Sequence, residues 1–168
     1  MHIIVCVDKN WGIGKNNGLL FHIPADLRYF KNITRNKIVV MGGNTLLSLP
    51  KSKPLPNRIN IVLTDVFTRD DCIIVPTLKE LFYELKKYNT DDIFIIGGAM
   101  FYRTMLDYCE SAYVTKVDAT CDDATVFFPN LDEKLNWIHK EASDNQVDNG
   151  YNFVFTKYIN TKIKEIEY

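Results

Sequence analysis

An isolated carboxylate stands out among the residues of this chain that could do chemistry. Asp26 lies in the stretch GLLFHIPADLRYF, residues 18–30, where most of its neighbours are aliphatic or aromatic. Helical spacing places Phe30 and Ile33 on the same face as Asp26. Because burial favours the neutral form of a carboxyl, an acid on that face either meets a partner or keeps its proton to higher pH. Such a group suits the protonation of a bound heterocycle near neutral pH, or a grip on an amidine edge.

A purely structural interpretation of Asp26 competes with this one. Pro24 marks the start of the predicted helix, so Asp26 falls in its first turn. An acid in that turn is favoured by the helix dipole by about 0.3–1 kcal/mol without any function. The stretch alone leaves both interpretations open.

Two glycine pairs each join a predicted buried strand to a predicted helix. They are Gly42-Gly43 in VMGGN and Gly97-Gly98 in IIGGAMFYR. Glycines at such a turn allow a ligand to approach the backbone, and the helix start offers free N–H groups to an anion such as a pyrophosphate. A tight turn that binds nothing is the alternative, and neither G-x-G-x-x-G nor the phosphate-loop pattern is present.

The segment DKNWGIGKNNG, residues 8–18, is a long turn-rich connection between the first predicted strand and the first helix. Connections of this length in a compact domain are usually functional. We predict a lid that hinges at its glycines, and a merely tolerated insertion is the alternative.

The elements that must position these residues follow from hydrophobic patterning. Short runs rich in Val and Ile predict strands buried on both faces, as in a mostly parallel sheet, at 2–7, 37–42, 59–64, 72–75 and 93–98. Helical spacing predicts helices at 25–33, 44–49, 77–88 and 99–108. Alternating strands at 111–119 and 151–159, with no helix between them, predict an antiparallel pair at one edge.

These elements predict one α/β domain over residues 1–168. We expect a central mostly parallel mixed β-sheet with an antiparallel C-terminal edge strand, helices on both faces, and a tail at 160–168 that frays. Ligands bind beyond the carboxyl ends of the strands in open sheets of this kind.

Composition narrows the class of protein. The chain has 168 residues, 46% of them hydrophobic, and a net charge of −1, which argues against nucleic-acid binding. The apolar runs are too short to span a membrane, and the absence of a basic leader predicts a cytoplasmic protein. Four cysteines and three histidines without ligand spacing predict free thiols and no metal site.

Several ordered motifs together resemble the dihydrofolate reductase family, of the bacterial chromosomal type. They are GIG with the following lid, IPADLRYFKNIT, VMGGNT, PLPNR, INIVLT, IIGGAMFY, AYVTKVDA and FFP. The resemblance implies hydride transfer from NADPH to C6 of 7,8-dihydrofolate with a proton delivered to N5, which gives tetrahydrofolate for one-carbon metabolism. It also implies a monomer that binds antifolates.

The resemblance implies a substrate site around the acid. Asp26 would hold the pterin N3 and 2-amino edge, Thr115 would bond to the same edge, and Arg58 would clamp the glutamate α-carboxylate. The implied catalytic residues are Asp26, Thr115, Leu19 and Phe21. The implied substrate contacts are Ile4, Val5, Asp26, Leu27, Phe30, Leu49, Leu55, Arg58, Ile96 and Thr115.

The resemblance also implies a cofactor site on the glycine turns and the strand ends. Its residues are Cys6, Ile13, Gly14, Leu19, Gly42, Gly43, Asn44, Thr45, Leu63, Thr64, Asp65, Ile96, Gly97, Gly98, Ala99, Met100, Phe101 and Tyr102.

The chain departs from the family pattern at two places. Leu20-Phe21 replaces the usual Pro-Trp, which removes an indole N–H that could hold an ordered water. At the positions expected to contact the 2′-phosphate, Gly43-Asn44, Asp65 and Met100 replace cationic or hydroxyl residues. We therefore expect a weakened preference for NADPH and usable NADH, unless Arg69 or Lys79 supplies the missing charge.

Two other functions remain open on the residues alone. One is a related reductase acting on another pterin or pyrimidine, for which the tail clamp Arg58 would be unnecessary. The other is a nucleotide or pterin carrier or an inactive scaffold, which would need no acid on an apolar face.

Overall fold

A central mixed β-sheet organises the chain in the computed structural model, which describes residues 1–16 and 18–168. The strands in chain order are β1 (His2–Val7), β2 (Gly12–Lys15), β3 (Gly18–Leu19), β4 (Ile38–Gly42), β5 (Ile59–Leu63), β6 (Ile73–Val75), β7 (Ile93–Gly97), β8 (Ser111–Val117), β9 (Val126–Phe127), β10 (Trp137–Ala142), β11 (Gln146–Asp148) and β12 (Tyr151–Asn160). The sheet order is β10-β12-β8-β1-β7-β4-β5-β6, with β11 also paired to β12.

The parallel part of the sheet confirms the predicted fold class. Strands β8, β1, β7, β4, β5 and β6 pair in parallel, and β12 and β10 add antiparallel partners at one edge. The parallel strands are buried on both faces, which is why they read as continuous apolar runs. Each predicted strand in this region lies within two residues of the observed one.

Helices cover both faces of the sheet. They are α1 (Pro24–Thr34), α2 (Gly43–Ser48), α3 (Leu78–Leu85) and α4 (Ala99–Met105). Val40 and Ile61 pack in the cluster that contains α3 and α4, whereas Val39 and Met41 pack against α2. Alternate residues of one strand therefore face opposite helical layers, as the period of a strand requires.

Two predicted helices are longer than the observed ones. Thr77 caps α3 by accepting a hydrogen bond from the Glu80 N–H at 3.2 Å, but the α-helix ends at Leu85 rather than at Tyr88. Helix α4 ends at Met105 and continues as a 3₁₀ turn over Leu106–Tyr108. Tightened last turns of this kind are common at helix ends.

The polar edge strands were missed by the sequence prediction. Five of the six residues of β10 are exposed, so the strand carries no alternation of apolar and polar side chains. Strand β11 joins β12 through a two-residue turn at Asn149 and Gly150, both with positive φ. An Asn-Gly pair is a strong hairpin signal that would have located this connection.

In the segment predicted to be a lid, β2 and β3 pair antiparallel; Asn17 lies outside the described residues, and the role of residues 8–18 as a lid stays a prediction. Strands β3, β2 and β9 make a small antiparallel sheet. The buried carboxylate of Asp8 organises its base, accepting the N–H groups of Asn10 and Gly12 at 2.8 and 2.7 Å and that of Cys121 at 3.0 Å. Backbone hydrogen bonds among β2, β3 and β9 therefore give regular structure to a part of the chain whose glycines predict turns.

The C-terminal tail contacts the body of the protein. The Lys164 N–H donates to the Asp107 carbonyl at 2.8 Å, Ile166 packs against the main core, and the Lys86 ammonium lies 3.4 Å from the Tyr168 ring centroid. Fraying of residues 160–168 stays a prediction. Among the described residues, no helix is both long and apolar enough to cross a membrane.

Candidate active site

The Asp26 carboxylate, which the sequence singled out, is hydrogen-bonded by a hydroxyl group on a strand of the central sheet. Thr115 on β8 donates its Oγ1–H to Asp26 Oδ1 at 2.6 Å. Asp26 projects from the first turn of α1, and Thr115 is 2% exposed. This partner distinguishes Asp26 from a simple helix-capping charge, because residues 89 positions apart converge on one carboxyl group.

A thiol provides the second side-chain partner of the carboxylate. Cys6 lies opposite Thr115 in the β1–β8 register, and it lines the same cleft as Asp26. Burial raises the pKa of Asp26 above its ordinary value of 3.8, while the bonds from Thr115 and Cys6 oppose that rise. Burial and the neighbouring Asp26 also raise the pKa of Cys6, so its thiol stays neutral and remains a donor.

A narrow apolar cleft opens beside Asp26. Its lining contains six residues assigned from the sequence and two that were missed, Leu20 and Ile23. The lining residues are Cys6, Ile13, Leu19, Leu20, Phe21, Ile23, Asp26 and Leu27. Because water solvates a carboxylate poorly in such surroundings, the cleft is the physical reason for the raised pKa of Asp26.

Phe21 is held by an aromatic contact. Its ring meets that of Tyr151 edge to face, with centroids 5.0 Å apart, and both pack against a cluster that contains Ile23, Val117 and Phe153. The position where the family resemblance implies Trp is thus filled by apolar packing. A phenyl ring donates no hydrogen bond, so Asp26 is hydrogen-bonded by Thr115.

Helix α1 is fixed in place by the β11–β12 hairpin. Asp148 accepts the Ala25 N–H at 2.7 Å, and the Asn149 side chain donates to the His22 carbonyl at 2.7 Å. Ala25 lies in the first turn of α1, whose own N-cap residue provides no side-chain bond. A carboxylate from another element therefore satisfies the helix start beside Asp26.

Arg58 lies at the other end of α1 and is preoriented. Its Nη1 donates to Thr34 Oγ1 and its Nε to the Pro56 carbonyl, both at 3.0 Å. The guanidinium carbon lies 5.9 Å from the Phe30 ring centroid. Partial burial lowers the pKa of Arg58, but a guanidinium stays charged, so the group can receive a carboxylate.

The two glycine turns lie against each other at the carboxyl ends of β4 and β7. A Cβ at Gly42 would lie 4.0 Å from Gly97 O, and one at Gly97 or Gly98 would lie 3.4 Å from Thr45 Oγ1. Gly97 has a φ of +130°, which side chains rarely adopt. Tyr102 donates to the Ile4 carbonyl at 2.8 Å and so ties this cradle to β1 beside Asp26.

Two residues assigned to ligand contacts point elsewhere. The side chains of Val5 and Phe101 belong to the main hydrophobic core, so only their backbones remain for a ligand. Leu49, Leu55 and Ile96 do come together on the face covered by α2. Asn44, Asp65 and Met100 are exposed, and Leu63, Thr64 and Ala99 are partly exposed near the same strand ends.

Gly43, where the family resemblance implies Arg, has no room for a side chain. A Cβ added at Gly43 would lie 2.9 Å from Thr64 Oγ1 and 3.3 Å from a ring carbon of Phe67. Arg69, a candidate for the missing cation, is already paired: two of its nitrogens donate to Asp71 at 2.9 and 2.6 Å, and a third donates to the Ser52 carbonyl. That expectation for Arg69 is not supported.

Known proteins are similar to this chain over nearly its whole length. A sequence model described as dihydrofolate reductase matches residues 1–160. The dihydrofolate reductase of Bacillus subtilis is 35% identical over 159 residues, which cover 92% of this chain and 91% of that protein. That of Schistosoma mansoni is 34% identical over 177 residues, covering 94% and 95% respectively.

A solved structure agrees with the sequence relatives. Dihydrofolate reductase from Enterococcus faecalis, complexed with NADP(H) and RAB-propyl, superimposes with a TM-score of 0.83 at 27% identity and covers 95% of both chains. The range matched by the family model, residues 1–160, includes Asp26, Arg58 and both glycine turns. The chain belongs to the dihydrofolate reductase family.

Proposed function

We propose that this protein reduces 7,8-dihydrofolate to tetrahydrofolate, taking hydride from NADPH to C6 while a proton reaches N5. The observation that carries the proposal is the Asp26–Thr115 pair in the apolar cleft, with a bond of 2.6 Å. A carboxylate with one neighbouring hydroxyl matches a ring edge that presents both an N–H and an amino group. The product would supply one-carbon metabolism.

Asp26 and Thr115 bind and orient the pterin in this proposal. Ionised Asp26 accepts from the N3 and 2-amino groups and holds negative potential near N5, so protonation of N5 becomes more favourable. Phe21 limits the access of bulk water to the cleft, which strengthens that electrostatic effect. Because Phe21 cannot hold a water by hydrogen bonding, proton delivery depends on Asp26 and on solvent that enters past the exposed Leu19.

Arg58 binds the glutamate tail. Its planar guanidinium suits bidentate contact with a carboxylate, and Thr34 and Phe30 hold it in position. Leu27, Leu49 and Leu55 provide apolar walls between this clamp and Asp26, and Ile4 and Ile96 offer backbone carbonyls to the pterin. This distribution favours a folate over a pterin or pyrimidine without a tail.

The glycine turns fit a dinucleotide. A side chain at Gly97 or Gly98 would fill the space next to Thr45, so the bare backbone leaves a cradle that a pyrophosphate can approach. Gly42, Gly97, Gly98 and Thr45 would hold the phosphates, and Cys6, Ile13, Gly14, Leu19 and Tyr102 would border the nicotinamide. The nicotinamide supplies the hydride, and these residues supply its position and exclude water.

We also propose that the preference for NADPH over NADH is weak. Gly43, Asp65 and Met100 provide no cation at the 2′-phosphate, and Arg69 is paired with Asp71. One charge-assisted hydrogen bond contributes about 1.5–3 kcal/mol, or about 10- to 150-fold in preference. Lys79 remains the one candidate named from the sequence for a replacement charge.

Cofactor preference is tested by kcat/KM and by the dissociation constant for each cofactor, followed by tyrosine and tryptophan fluorescence. We expect Met100→Arg to restore preference for NADPH by about 10- to 150-fold, because Met100 is 82% exposed and its replacement crowds nothing. Met100→Leu is the matched control. A parent that already prefers NADPH by more than about 100-fold would contradict the proposal.

The reductase activity itself is tested by loss of absorbance at 340 nm with dihydrofolate and NADPH. If the protein also reduces a dihydropterin that lacks the glutamate tail, and Arg58→Ala does not change its turnover, a related reductase is favoured instead. Tight binding of both ligands without turnover at any pH would favour a carrier. Proposals that accompany the reductase are a monomeric state, a cytoplasmic location and inhibition by antifolates such as the compound class bound to the Enterococcus relative.

A further inference from the structure

A cluster of possible metal ligands lies at the opposite end of β1 from the active-site cleft. His2 begins β1, Asp91 lies in the 3₁₀ turn that precedes β7, and Glu110 directly precedes β8. Because β1 is paired with both β7 and β8, the sheet brings the three residues together. One ligand atom from each lies within 4.8 Å of the other two.

The distance between His2 and Glu110 matches the ligand spacing of a tetrahedral ion site. His2 Nε2 lies 3.4 Å from Glu110 Oε1. With metal–ligand bonds of about 2.1 Å, adjacent ligands of a tetrahedral zinc ion lie about 3.4 Å apart. Asp91 is exposed, whereas His2 is 8% exposed and its Nε2 already faces Glu110.

A hydrogen bond at the second ring nitrogen holds the His2 imidazole in its orientation. His2 Nδ1 hydrogen-bonds to the hydroxyl of Ser111, which is 1% exposed. That bond leaves Nε2 directed at Glu110. Ligating histidines are commonly held in this way, with one ring nitrogen on a protein partner and the other on the metal.

The two carboxylates of the cluster are not neutralised by a lysine or arginine side chain of the described residues. Within the described residues, neither Asp91 nor Glu110 has a Lys or Arg nitrogen within 4.0 Å, although Lys37 pairs with the adjacent Asp92. Two carboxylates therefore face the His2 imidazole, and a divalent cation would complete the arrangement.

We propose that His2, Asp91 and Glu110 form a binding site for a zinc-class divalent cation. One imidazole nitrogen with two carboxylate oxygens suits Zn²⁺, while Mg²⁺ and Ca²⁺ prefer oxygen ligands alone. Three protein ligands leave a fourth position for water. The bound ion joins the starts of β1, β7 and β8 and stabilises the fold without touching the reductase site.

The sequence contained no signal for this site. Positions 2, 91 and 110 show no ligand spacing, and the expectation of no metal rested on such spacing. Parallel strands bring distant segments to one edge, so only the strand order β7-β1-β8 reveals the juxtaposition.

The test is Zn²⁺ binding to the full chain by competition with a chromophoric chelator, together with thermal unfolding with and without Zn²⁺. We expect one equivalent to bind and the midpoint of unfolding to rise. Glu110→Gln and Asp91→Asn should each weaken binding at least about tenfold, since loss even of an indirect partner has that effect. His139→Gln, a change of an exposed histidine outside the cluster, should bind like the parent.

Two results would overturn the proposal. The first is a parent chain that binds no stoichiometric Zn²⁺. The second is binding that Glu110→Gln and Asp91→Asn leave unchanged, which would assign the ion to another site such as a cysteine. Absorption spectra with Co²⁺ in place of Zn²⁺ show independently whether a cysteine binds the ion. The proposed site contains no thiolate and should give no thiolate-to-cobalt charge-transfer band. The appearance of such a band would contradict the proposal.

Discussion

At Asp26 a hydroxyl and a thiol converge on one carboxylate, and the balance between their bonds and burial determines when it ionises. The sequence identified Asp26 and Thr115 through resemblance, but Cys6 appeared only as a cofactor contact. Its role beside Asp26 depends on the β1–β8 register, which no local pattern reveals. The same applies to Phe21, whose partner Tyr151 lies 130 positions away.

Changing the thiol at Cys6 should move the ionisation of Asp26 in a direction set by the replacement. The thiol stabilises the ionised form, so Cys6→Ala should raise the pKa of Asp26 and shift the acid limb of kcat/KM to higher pH. Cys6→Ser provides a stronger donor and should shift the limb to lower pH. Profiles of kcat/KM against pH for the three proteins measure this, and shifts of equal sign would refute the role of Cys6.

At the scale of elements, the β11–β12 hairpin holds the start of α1. Asp148→Ala removes the acceptor for the Ala25 N–H and should lower the free energy of unfolding by about 0.5–2 kcal/mol, as for loss of an N-cap. Asp144→Ala, an exposed acid of the same segment, is the matched control and should change stability by less than about 0.5 kcal/mol. Denaturant unfolding measures both, and equal losses would mean that Asp148 does not act as a cap.

Buried elements were predictable from the sequence and exposed ones were not. Strands β1, β4, β5 and β7 carry continuous apolar runs because both their faces are covered, so their position and parallel pairing followed directly. Strand β10, mostly exposed, lacks such a pattern. Strand β2 carries no apolar run either, since its regular structure depends on pairing with β9.

At the scale of the whole molecule, ionised Asp26 should lower the free energy of unfolding at neutral pH. Its pKa is raised on folding, so the folded chain holds this proton more tightly than the unfolded chain. Stability from this group therefore falls as pH rises from about 3.9, the unfolded value, through the raised folded value. Asp26→Asn should consequently unfold at a higher temperature than the parent at pH 7, and this gain should disappear below about pH 4.

Thermal unfolding of the parent and Asp26→Asn from pH 3.5 to pH 8 tests this expectation. Asp132→Asn is a suitable contrast, because bonds from Tyr158 and Lys116 lower the pKa of Asp132. Asp132→Asn should therefore lose stability relative to the parent as pH rises. A lower midpoint for Asp26→Asn at pH 7 would show that its hydrogen bonds outweigh the cost of burial.

The most direct test of the proposed chemistry is the pH profile of dihydrofolate reduction by the parent and Asp26→Asn, measured from pH 5 to pH 9 at 340 nm. If Asp26 promotes protonation of N5, the variant should lose about 10²- to 10⁴-fold above neutral pH, where protons are scarce, and lose much less at pH 5. A variant profile parallel to that of the parent across the whole range would remove Asp26 from the proton-transfer step.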